Sequence, residues 1–274
     1  MNVSFMRHLV RRVYQTFLRQ NQTDFEVEAL QRSAIIFFPH QDDETLGCGG
    51  TIIRKKQAGA EVKIVFMTDG SQSHSHLMSE EKLAEIRAKE AIAAADKLSV
   101  KSEDIFFLGI PDGSLTQNQT IATQKVVKLL VQFNPEEIFV PYRYDGVPDH
   151  NATCQTVLSA LKQWGGEATI YEYPIWFWNH WPWTEGTKPE NQEFANFKQE
   201  LQAGWTLLHN FQDTIYIGNI LEQKKAALRQ HQSQVTQLIP HPRWLTLSDV
   251  SQGEFLKCFF QPYERFHRYQ FTQN

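Results

Sequence analysis

From Ser33 onward the sequence alternates short β-branched and aromatic runs with longer segments of helical periodicity. This alternation is typical of βαβ units, in which helices connect and cover the strands of a parallel sheet. The predicted strands cover 34–38, 62–68, 105–108, 137–140, 170–174 and 214–217. The predicted helices cover 45–57, 79–98, 119–133, 151–164, 193–208 and 221–232. We therefore expect an α/β fold with a mostly parallel sheet.

Composition limits the classes of protein that this chain can represent. The 274 residues are 41% hydrophobic, enough for a sizeable core, and the net charge of −4 provides no basic excess for nucleic acid. No apolar run reaches the roughly 18–20 residues of a membrane span, and we find no export signal. Cys48, Cys154 and Cys258 form no CxxC pair, which favours a reducing compartment. We expect a cytoplasmic protein with one domain over residues 31–274.

The N-terminal segment, residues 1–30, has the spacing of a basic amphipathic helix. Its arginines are interleaved with apolar residues, namely Arg7, Arg11, Arg12 and Arg19 among Phe5, Leu9, Val10, Val13, Phe17 and Leu18. Such a helix could lie on an anionic membrane surface as a peripheral contact. Alternatively, it could pack its apolar stripe on the domain or on a second subunit of a homo-oligomer and leave the arginines solvated.

Polar residues follow three of the predicted strands, where the ligand sites of open parallel sheets lie. The three loops are 39–44, 68–70 and 141–150. His40 and Asp43 are three residues apart at a strand-to-helix junction, so one turn can bring both side chains together, and His150 arrives from another strand end. Two imidazoles and one carboxylate suit Zn²⁺ with an open fourth position, although another divalent metal could bind in place of Zn²⁺.

Asp42 lies beside this predicted metal site. Its carboxylate must point away from that of Asp43, towards the open coordination position, where it could accept a proton from water and return one to a leaving amine. The alternative is that the acidic run merely caps a helix, since carboxylates favour a helix N-terminus. Capping leaves His40 and the Asp149-His150 pair unexplained, and the joint pattern therefore favours a metal site.

The segment 39–44 resembles the HPDDE motif of the N-acetylglucosaminylphosphatidylinositol de-N-acetylase family, the PIG-L or LmbE-like deacetylases, with Gln41 in place of the usual proline. Further similarities follow in the same order over about residues 33 to 235, namely Thr68-Asp69-Gly70, Arg87 with Glu90, and the segments 108–113, 148–150 and 225–234. The resemblance implies zinc bound by His40, Asp43 and His150, and Asp42 as general base and acid. It also implies a Rossmann-like three-layer sandwich and an N-acetyl amino sugar substrate.

One position departs from the family pattern. Many members have HPDH at the second segment, and the resemblance assigns the first histidine of that segment to the tetrahedral intermediate, oriented by the intervening aspartate. This chain has Val147 there, and valine donates no hydrogen bond, so Asp149 loses that partner. Oxyanion stabilisation would then need another donor, and the candidate substrate or oxyanion residues are Arg143, Tyr142, Tyr144, Asp149 and His231.

Three weaker signals carry structural interpretations. Close helix packing is our explanation for the glycines of Gly47-Cys48-Gly49-Gly50, which lack the spacing of a phosphate loop. The histidines of the polar loop, His74 and His76, are interpreted as solvated, with a lid or a sugar contact at the site as the alternative. The aromatic stretch 171–183 is mostly core, and we expect one or two of its side chains to line a substrate groove.

The leading hypothesis is a metal-dependent deacetylase of an N-acetylglucosamine-type conjugate, either a small molecule or a glycolipid. A catalytically impaired family member that retains the metal site as a scaffold or sugar-binding protein is the main alternative, because of Val147. A nucleotide-binding oxidoreductase or transferase on a similar sheet is disfavoured by the absence of a glycine fingerprint.

Overall fold

A computed structural model describes residues 3–184 and 193–272 of the chain. Its strands are β1 Thr23–Asp24, β2 Ala34–Phe38, β3 Val62–Thr68, β4 Ile105–Ile110, β5 Glu137–Pro141, β6 Ala168–Tyr173, β7 Asp213–Tyr216 and β8 Tyr263–Phe271. Its α-helices are α1 Val3–Gln20, α2 Val27–Gln31, α3 Asp43–Gln57, α4 Glu80–Lys97, α5 Gln119–Phe133, α6 Pro148–Trp164, α7 Glu193–Asn210, α8 Leu221–Leu228, α9 Gln232–Val235 and α10 Glu254–Phe259.

The strands form one sheet in the order β1-β7-β8-β6-β5-β2-β3-β4. All paired neighbours are parallel except β8, which runs antiparallel to both β6 and β7. The predicted α/β class with a mostly parallel sheet is therefore confirmed. From β2 the chain proceeds outward through β3 to β4, and then returns to place β5 on the other side of β2. This reversal leaves a crevice at the carboxyl ends of β2 and β5, where ligands bind in open α/β sheets.

Two hydrophobic clusters lie on the two faces of this sheet. Alternate residues of β2 enter opposite clusters, since Ile36 and Phe38 belong to one and Ile35 and Phe37 to the other. Helices α3, α4 and α8 contribute to the first cluster, and α5 and α6 to the second. Every residue of β2 is buried, because helices cover both faces. The result is three layers, with the sheet in the middle.

The predicted boundaries are accurate for β2, β3 and α5, and differ by a few residues for most other elements. The predicted helix 221–232 is in fact two short helices, α8 and α9. The sequence reading missed β8 altogether. Its second residue, Glu264, is a carboxylate in a buried position, so the apolar alternation that signals a strand is interrupted. Burial of that charge depends on partners from distant segments.

The glycines of α3 allow close packing, as predicted. A Cβ atom at Gly47 would lie 2.5 Å from Tyr173 Cδ2, and one at Gly50 would lie 2.4 Å from Ile217 Cγ2. Contacts this short do not occur between real Cβ atoms and rigid side chains, and any larger residue would therefore push α3 away from its neighbours.

The N-terminal segment does form a helix, α1, which leaves Arg12 and Arg19 exposed but not Arg7 and Arg11. Arg7 is buried, and its guanidinium binds Glu254 of α10. Phe5, Leu9 and Phe17 are exposed instead. Of the apolar residues named in the sequence, Leu18 packs in the core, whereas Phe5, Leu9, Val13 and Phe17 do not pack on the domain. Packing on a second subunit and contact with a membrane stay predictions. Over residues 3–184 and 193–272 no helix has the length and apolar character needed to cross a membrane.

Candidate active site

His40, Asp43 and His150 converge at the crevice between β2 and β5. His40 follows β2, Asp43 is the first residue of α3, and His150 lies in the first turn of α6 after β5. One ligand atom from each residue lies within 4.8 Å of the others. The structure thus brings together the three residues that the sequence predicted as a metal site.

The spacing of these atoms fits a tetrahedral zinc ion. Asp43 Oδ2 lies 3.4 Å from His40 Nδ1 and 3.4 Å from His150 Nε2. Two ligands bound tetrahedrally at about 2.0–2.1 Å are separated by about 3.4 Å. Both ring nitrogens of His150 are buried and make no hydrogen bond to the described residues, but Nδ1 has a carboxylate 2.8 Å away whereas Nε2 is 3.4 Å from Asp43. A buried nitrogen that lacks a donor or acceptor is expected where a metal completes the site.

The electrostatic field at this point favours a cation. Burial alone would lower the pKa of His40, but hydrogen bonds to Asp112, Asp149 and Asp43 raise it well above its usual value. His40 Nε2 lies 3.1 Å from Asp112 Oδ1, and its protonated ring holds the pKa of Asp112 at about 2 although burial would raise it. The carboxylates that favour a protonated imidazole here would also attract a divalent metal.

A second layer of contacts orients His150. Its Nδ1 lies 2.8 Å from Asp145 Oδ2, which leaves Nε2 directed at Asp43. The Asp145 carboxylate is itself held by the backbone N–H groups of Ile175, Trp176 and Phe177 at 2.8–2.9 Å. Ligating histidines commonly have a carboxylate on their second nitrogen. Sequence reasoning missed Asp145, since its partners lie about 30 residues further along the chain.

Asp42 lies next to the cluster in a strained backbone conformation. Its φ of 131° is in the region that L-residues rarely adopt. Glu44 Oε2 accepts the Asp42 N–H at 2.8 Å, and Arg87 donates to the Gln41 carbonyl and, at 3.2 Å, to Asp42 Oδ1. Burial raises the pKa of Asp42 to about 6, against the lowering effect of Arg87. The Asp42 side chain makes no capping hydrogen bond, so the capping interpretation is wrong for this residue.

His231 binds Glu44, the residue that accepts the Asp42 N–H. Its Nε2 lies 2.5 Å from Glu44 Oε1, and both side chains are fully buried. Burial alone would raise the pKa of Glu44, but the charge of His231 and their hydrogen bond lower it. Two residues further on, Ser233 donates to the Glu90 carboxylate of α4 through its N–H and its hydroxyl. The late segment 225–234 thus forms hydrogen bonds with both α4 and the loop 39–44.

The cluster opens into a cavity of about 440 Å³, within the range of roughly 300–1,000 Å³ typical of small-molecule sites. Polar groups form one end, namely His40, Asp42, Asp43, Arg87 and Asp112. Apolar side chains form much of the remaining wall, namely Leu46, Val147, Ile175, Trp176, Leu247, Val250 and Phe255. Trp176 confirms the expectation that the aromatic stretch contributes a wall residue, while Tyr171 and Tyr173 are core.

The predicted substrate or oxyanion residues do not line this cavity in the part of the chain that the structure describes. The Arg143 guanidinium is bound to the buried carboxylate of Glu172. Tyr142 is buried in an aromatic cluster, and Tyr144 is 71% exposed. A role in substrate binding for these three residues stays a prediction from the sequence.

Asp149 and His231 are likewise absent from the described residues that line this cavity. Asp149 accepts the N–H groups of Gly113 and Leu115 at 2.8 and 3.3 Å, and its Oδ2 lies 3.6 Å from His40 Nε2. Asp149 thus lies beside His40, and His231 binds Glu44. Their role towards substrate stays a prediction.

The interpretation of His74 as a solvated loop residue is wrong. Its ring is buried, stacks on Trp244 with centroids 4.2 Å apart, and has Nε2 2.9 Å from the Leu245 carbonyl. His74 and His76 line the cavity together with Arg243. The sequence carries no local signal for this contact, because the two loops are about 170 residues apart.

A comparison with known proteins bears on the family. Residues 35–161 match the model of the PIG-L family, described as GlcNAc-PI de-N-acetylase. Residues 35–161 are therefore a PIG-L family domain. It is 29% identical over 140 residues to a probable N-acetyl-alpha-D-glucosaminyl L-malate deacetylase 2 of Bacillus cereus, covering 49% of this chain and 63% of that protein.

Other relatives extend this similarity. The diacetylchitobiose deacetylase of Thermococcus kodakarensis is 26% identical over 201 residues, which is 72% of this chain and 67% of that protein. The structure of the N,N'-diacetylchitobiose deacetylase from Pyrococcus horikoshii shares the fold with a TM-score of 0.61 and 21% identity, covering 96% and 92% of the two chains. The match spans less than two thirds of the Bacillus protein.

Proposed function

We propose that this PIG-L protein is a metal-dependent hydrolase that removes the acetyl group from an N-acetylglucosamine-type conjugate. The observation that carries the proposal is the convergence of His40, Asp43 and His150, with Asp43 Oδ2 3.4 Å from a nitrogen of each histidine, beside a strained, buried Asp42 that lines the cavity. The names of the Bacillus and Thermococcus relatives, deacetylases of N-acetylated sugar conjugates, support this substrate class.

Zinc, when bound by His40, Asp43 and His150, would polarise the amide carbonyl and make water more acidic. Asp42 then accepts the proton of the attacking water and delivers it to the nitrogen as the C–N bond breaks, releasing acetate and the free amine. Burial, which raises the pKa of Asp42, favours a carboxyl group that can both accept and return a proton. Arg87 and Glu44 hold Asp42 in place through its carboxylate and its N–H.

The remaining donor to the developing oxyanion differs from the family pattern. Val147 lines the cavity where many relatives have a histidine, and its side chain donates nothing. Among the described wall residues, Arg87 and Arg243 provide guanidinium groups. Loss of one oxyanion donor typically costs about 10²- to 10³-fold in rate. Val147 is therefore also the observation that favours the second candidate, an impaired member that binds amino sugars with slow or no turnover.

The decisive experiment combines metal analysis with acetate release. The purified chain should contain, or take up, one divalent metal, and it should release acetate from at least one member of a panel that includes an N-acetylglucosaminyl malate, diacetylchitobiose and N-acetylglucosaminyl lipids. Asp42→Asn should retain the metal and lose about 10²- to 10⁴-fold in kcat. Asp96→Asn, on the exposed face of α4, provides a matched control that should keep both.

Three results would redirect the proposal. Failure to bind any divalent metal refutes the site. Metal binding with full activity in Asp42→Asn refutes the mechanism. Binding of the panel sugars with no acetate release in the parent chain supports the impaired member. Cytoplasmic location and self-association stay predictions from the sequence.

A further inference from the structure

Helix α1 presents an unpaired apolar stripe to solvent. Phe5, Leu9, Val13 and Phe17 follow one another at intervals of four, and Met6 lies beside them. These five side chains are between 37% and 60% exposed. At 1.5 Å per residue the stripe from residue 5 to residue 17 is about 18 Å long. Large contiguous apolar surfaces of this kind mark interaction sites, whereas single exposed apolar residues do not.

The orientation of the stripe is set by arginines on the opposite face of α1. Both terminal nitrogens of Arg7 donate hydrogen bonds to the Glu254 carboxylate, at 2.7 and 2.9 Å. Arg11 donates to the carbonyls of Pro182 and Trp183. Leu18, one turn beyond Tyr14 on the same face, is buried in the core. Rotating the helix to bury the stripe would expose Leu18 and break these bonds, so the outward apolar face is built into the packing.

The charged residues of α1 itself are all basic. Residues 3–20 contain no aspartate or glutamate. Arg12 and Arg19 are exposed and seven residues apart, which places them along one edge of the stripe, and His8 lies on the same edge. An apolar face bordered by arginines is the arrangement with which a helix lies in the headgroup region of an anionic bilayer.

We propose that α1 docks this protein on an anionic membrane surface. The apolar stripe would enter the boundary between headgroups and acyl chains, while Arg12 and Arg19 bind lipid phosphates. The helix would lie in the plane of the surface, since Arg7 and Arg11 remain bound to the body of the protein.

A second copy of the chain is the less suitable occupant. Pairing two identical stripes would bring arginine-lined edges together with no carboxylate on either α1 to neutralise them. A stable interface also engages about 20–30 residues a side, and the stripe offers five large apolar side chains. Both considerations favour a fluid anionic surface over a rigid partner of the same charge.

Docking through α1 would also hold the candidate active site close to the membrane. In α10, Glu254 binds Arg7 of α1, and its neighbour Phe255 lines the cavity. One short helix therefore separates the docking helix from the apolar part of the cavity wall. The docking proposal itself does not rest on the proposed deacetylase function.

Vesicle flotation of the full chain tests the proposal. We expect the parent protein to float with vesicles of 70% phosphatidylcholine and 30% phosphatidylglycerol at low salt, and to bind pure phosphatidylcholine far more weakly. Raising NaCl should weaken binding to the anionic vesicles, because the arginine contribution is screened. Replacing Phe5 and Phe17 together by glutamine should lower the partition coefficient by at least about 10-fold, since each buried phenylalanine contributes strongly to transfer.

The control is Ile121→Gln with Val131→Gln, two comparably exposed apolar residues of α5 on the other face of the sheet. It should float like the parent, and circular dichroism should show both double variants folded. The proposal is overturned if the parent does not float with anionic vesicles, or if the α1 and α5 variants bind equally well. A doubled mass in light scattering that only the α1 variant abolishes would overturn it in favour of a second copy.

Discussion

Replacing Glu264 by glutamine should lower the free energy of unfolding by about 3–5 kcal/mol, the usual result of removing one partner of a buried ion pair. The Glu264 carboxylate accepts the N–H groups of Gly50 and Thr51, each at 2.7 Å, and binds Lys224 Nζ at 2.7 Å. Lys224 in turn donates to the Leu46 carbonyl at 2.9 Å, the group that the Gly50 N–H would bond in a regular helix. The ion pair therefore binds two backbone groups of α3, the Gly50 N–H and the Leu46 carbonyl, that would bond to each other in a regular helix.

The magnitude follows from what the substitution leaves behind. Glutamine keeps one carbonyl oxygen for the backbone donors, but Lys224 becomes a fully buried ammonium with only two carbonyls as partners. At roughly 2–4 °C per kcal/mol for a chain near this size, the melting temperature should fall by about 6–20 °C. Calorimetry and urea unfolding would measure the loss. Glu222→Gln, which removes the exposed pair with Lys225, should leave the melting temperature unchanged.

Coupling between the two charges distinguishes this explanation from a simple packing defect. The double variant Lys224→Met with Glu264→Gln removes both charges, and it should be less destabilised than the sum of its two single variants. A loss below about 1 kcal/mol in Glu264→Gln, or strictly additive single variants, would refute the reasoning, because the ion pair would then contribute little to the position of α3.

Three further substitutions or additions test the site. Gly70→Ala should lower the free energy of unfolding, measured in urea, by about 2–3 kcal/mol. The φ of Gly70 is +66°, and the new Cβ would lie 2.2 Å from Gln41 Oε1, which disturbs the Gln41 hydrogen bond to the Thr68 carbonyl. Adding Gln41→Ala should recover part of the lost stability, and no recovery would exclude the clash. Asp145→Asn should weaken zinc binding by about 10- to 100-fold in calorimetric titration, and an unchanged affinity would show that Asp145 does not orient His150. Zinc at 100 times its Kd should stabilise the parent chain by about 2.7 kcal/mol and a chelator should reverse this, whereas an equal response in His150→Ala would place the metal elsewhere.

The sequence was sufficient to predict that His40, Asp43 and His150 lie together. His40 and Asp43 are three apart after β2, and His150 follows β5, so the rule for parallel sheets was enough to bring them together. The bounds of β2 and β3 were also predictable, because strands covered on both faces are continuous apolar runs. These signals are local in the chain or follow from a general topological rule.

Tertiary structure alone decided the features that depend on distant partners. Arg143, two residues after β5, appeared well placed for substrate, yet the buried Glu172 of the neighbouring strand β6 binds its guanidinium. His74 looked solvated, yet Trp244 covers it. No local pattern encodes either contact.

Helix α1 shows the same division. Its amphipathic spacing is evident from the sequence, but which face is outward depends on Glu254, about 250 residues away, and on carbonyls near Pro182. Hydrogen bonds to those groups outweigh the tendency of the apolar stripe to be buried. A sequence determines which side chains can share a face, whereas the partners assembled by the fold determine where that face points.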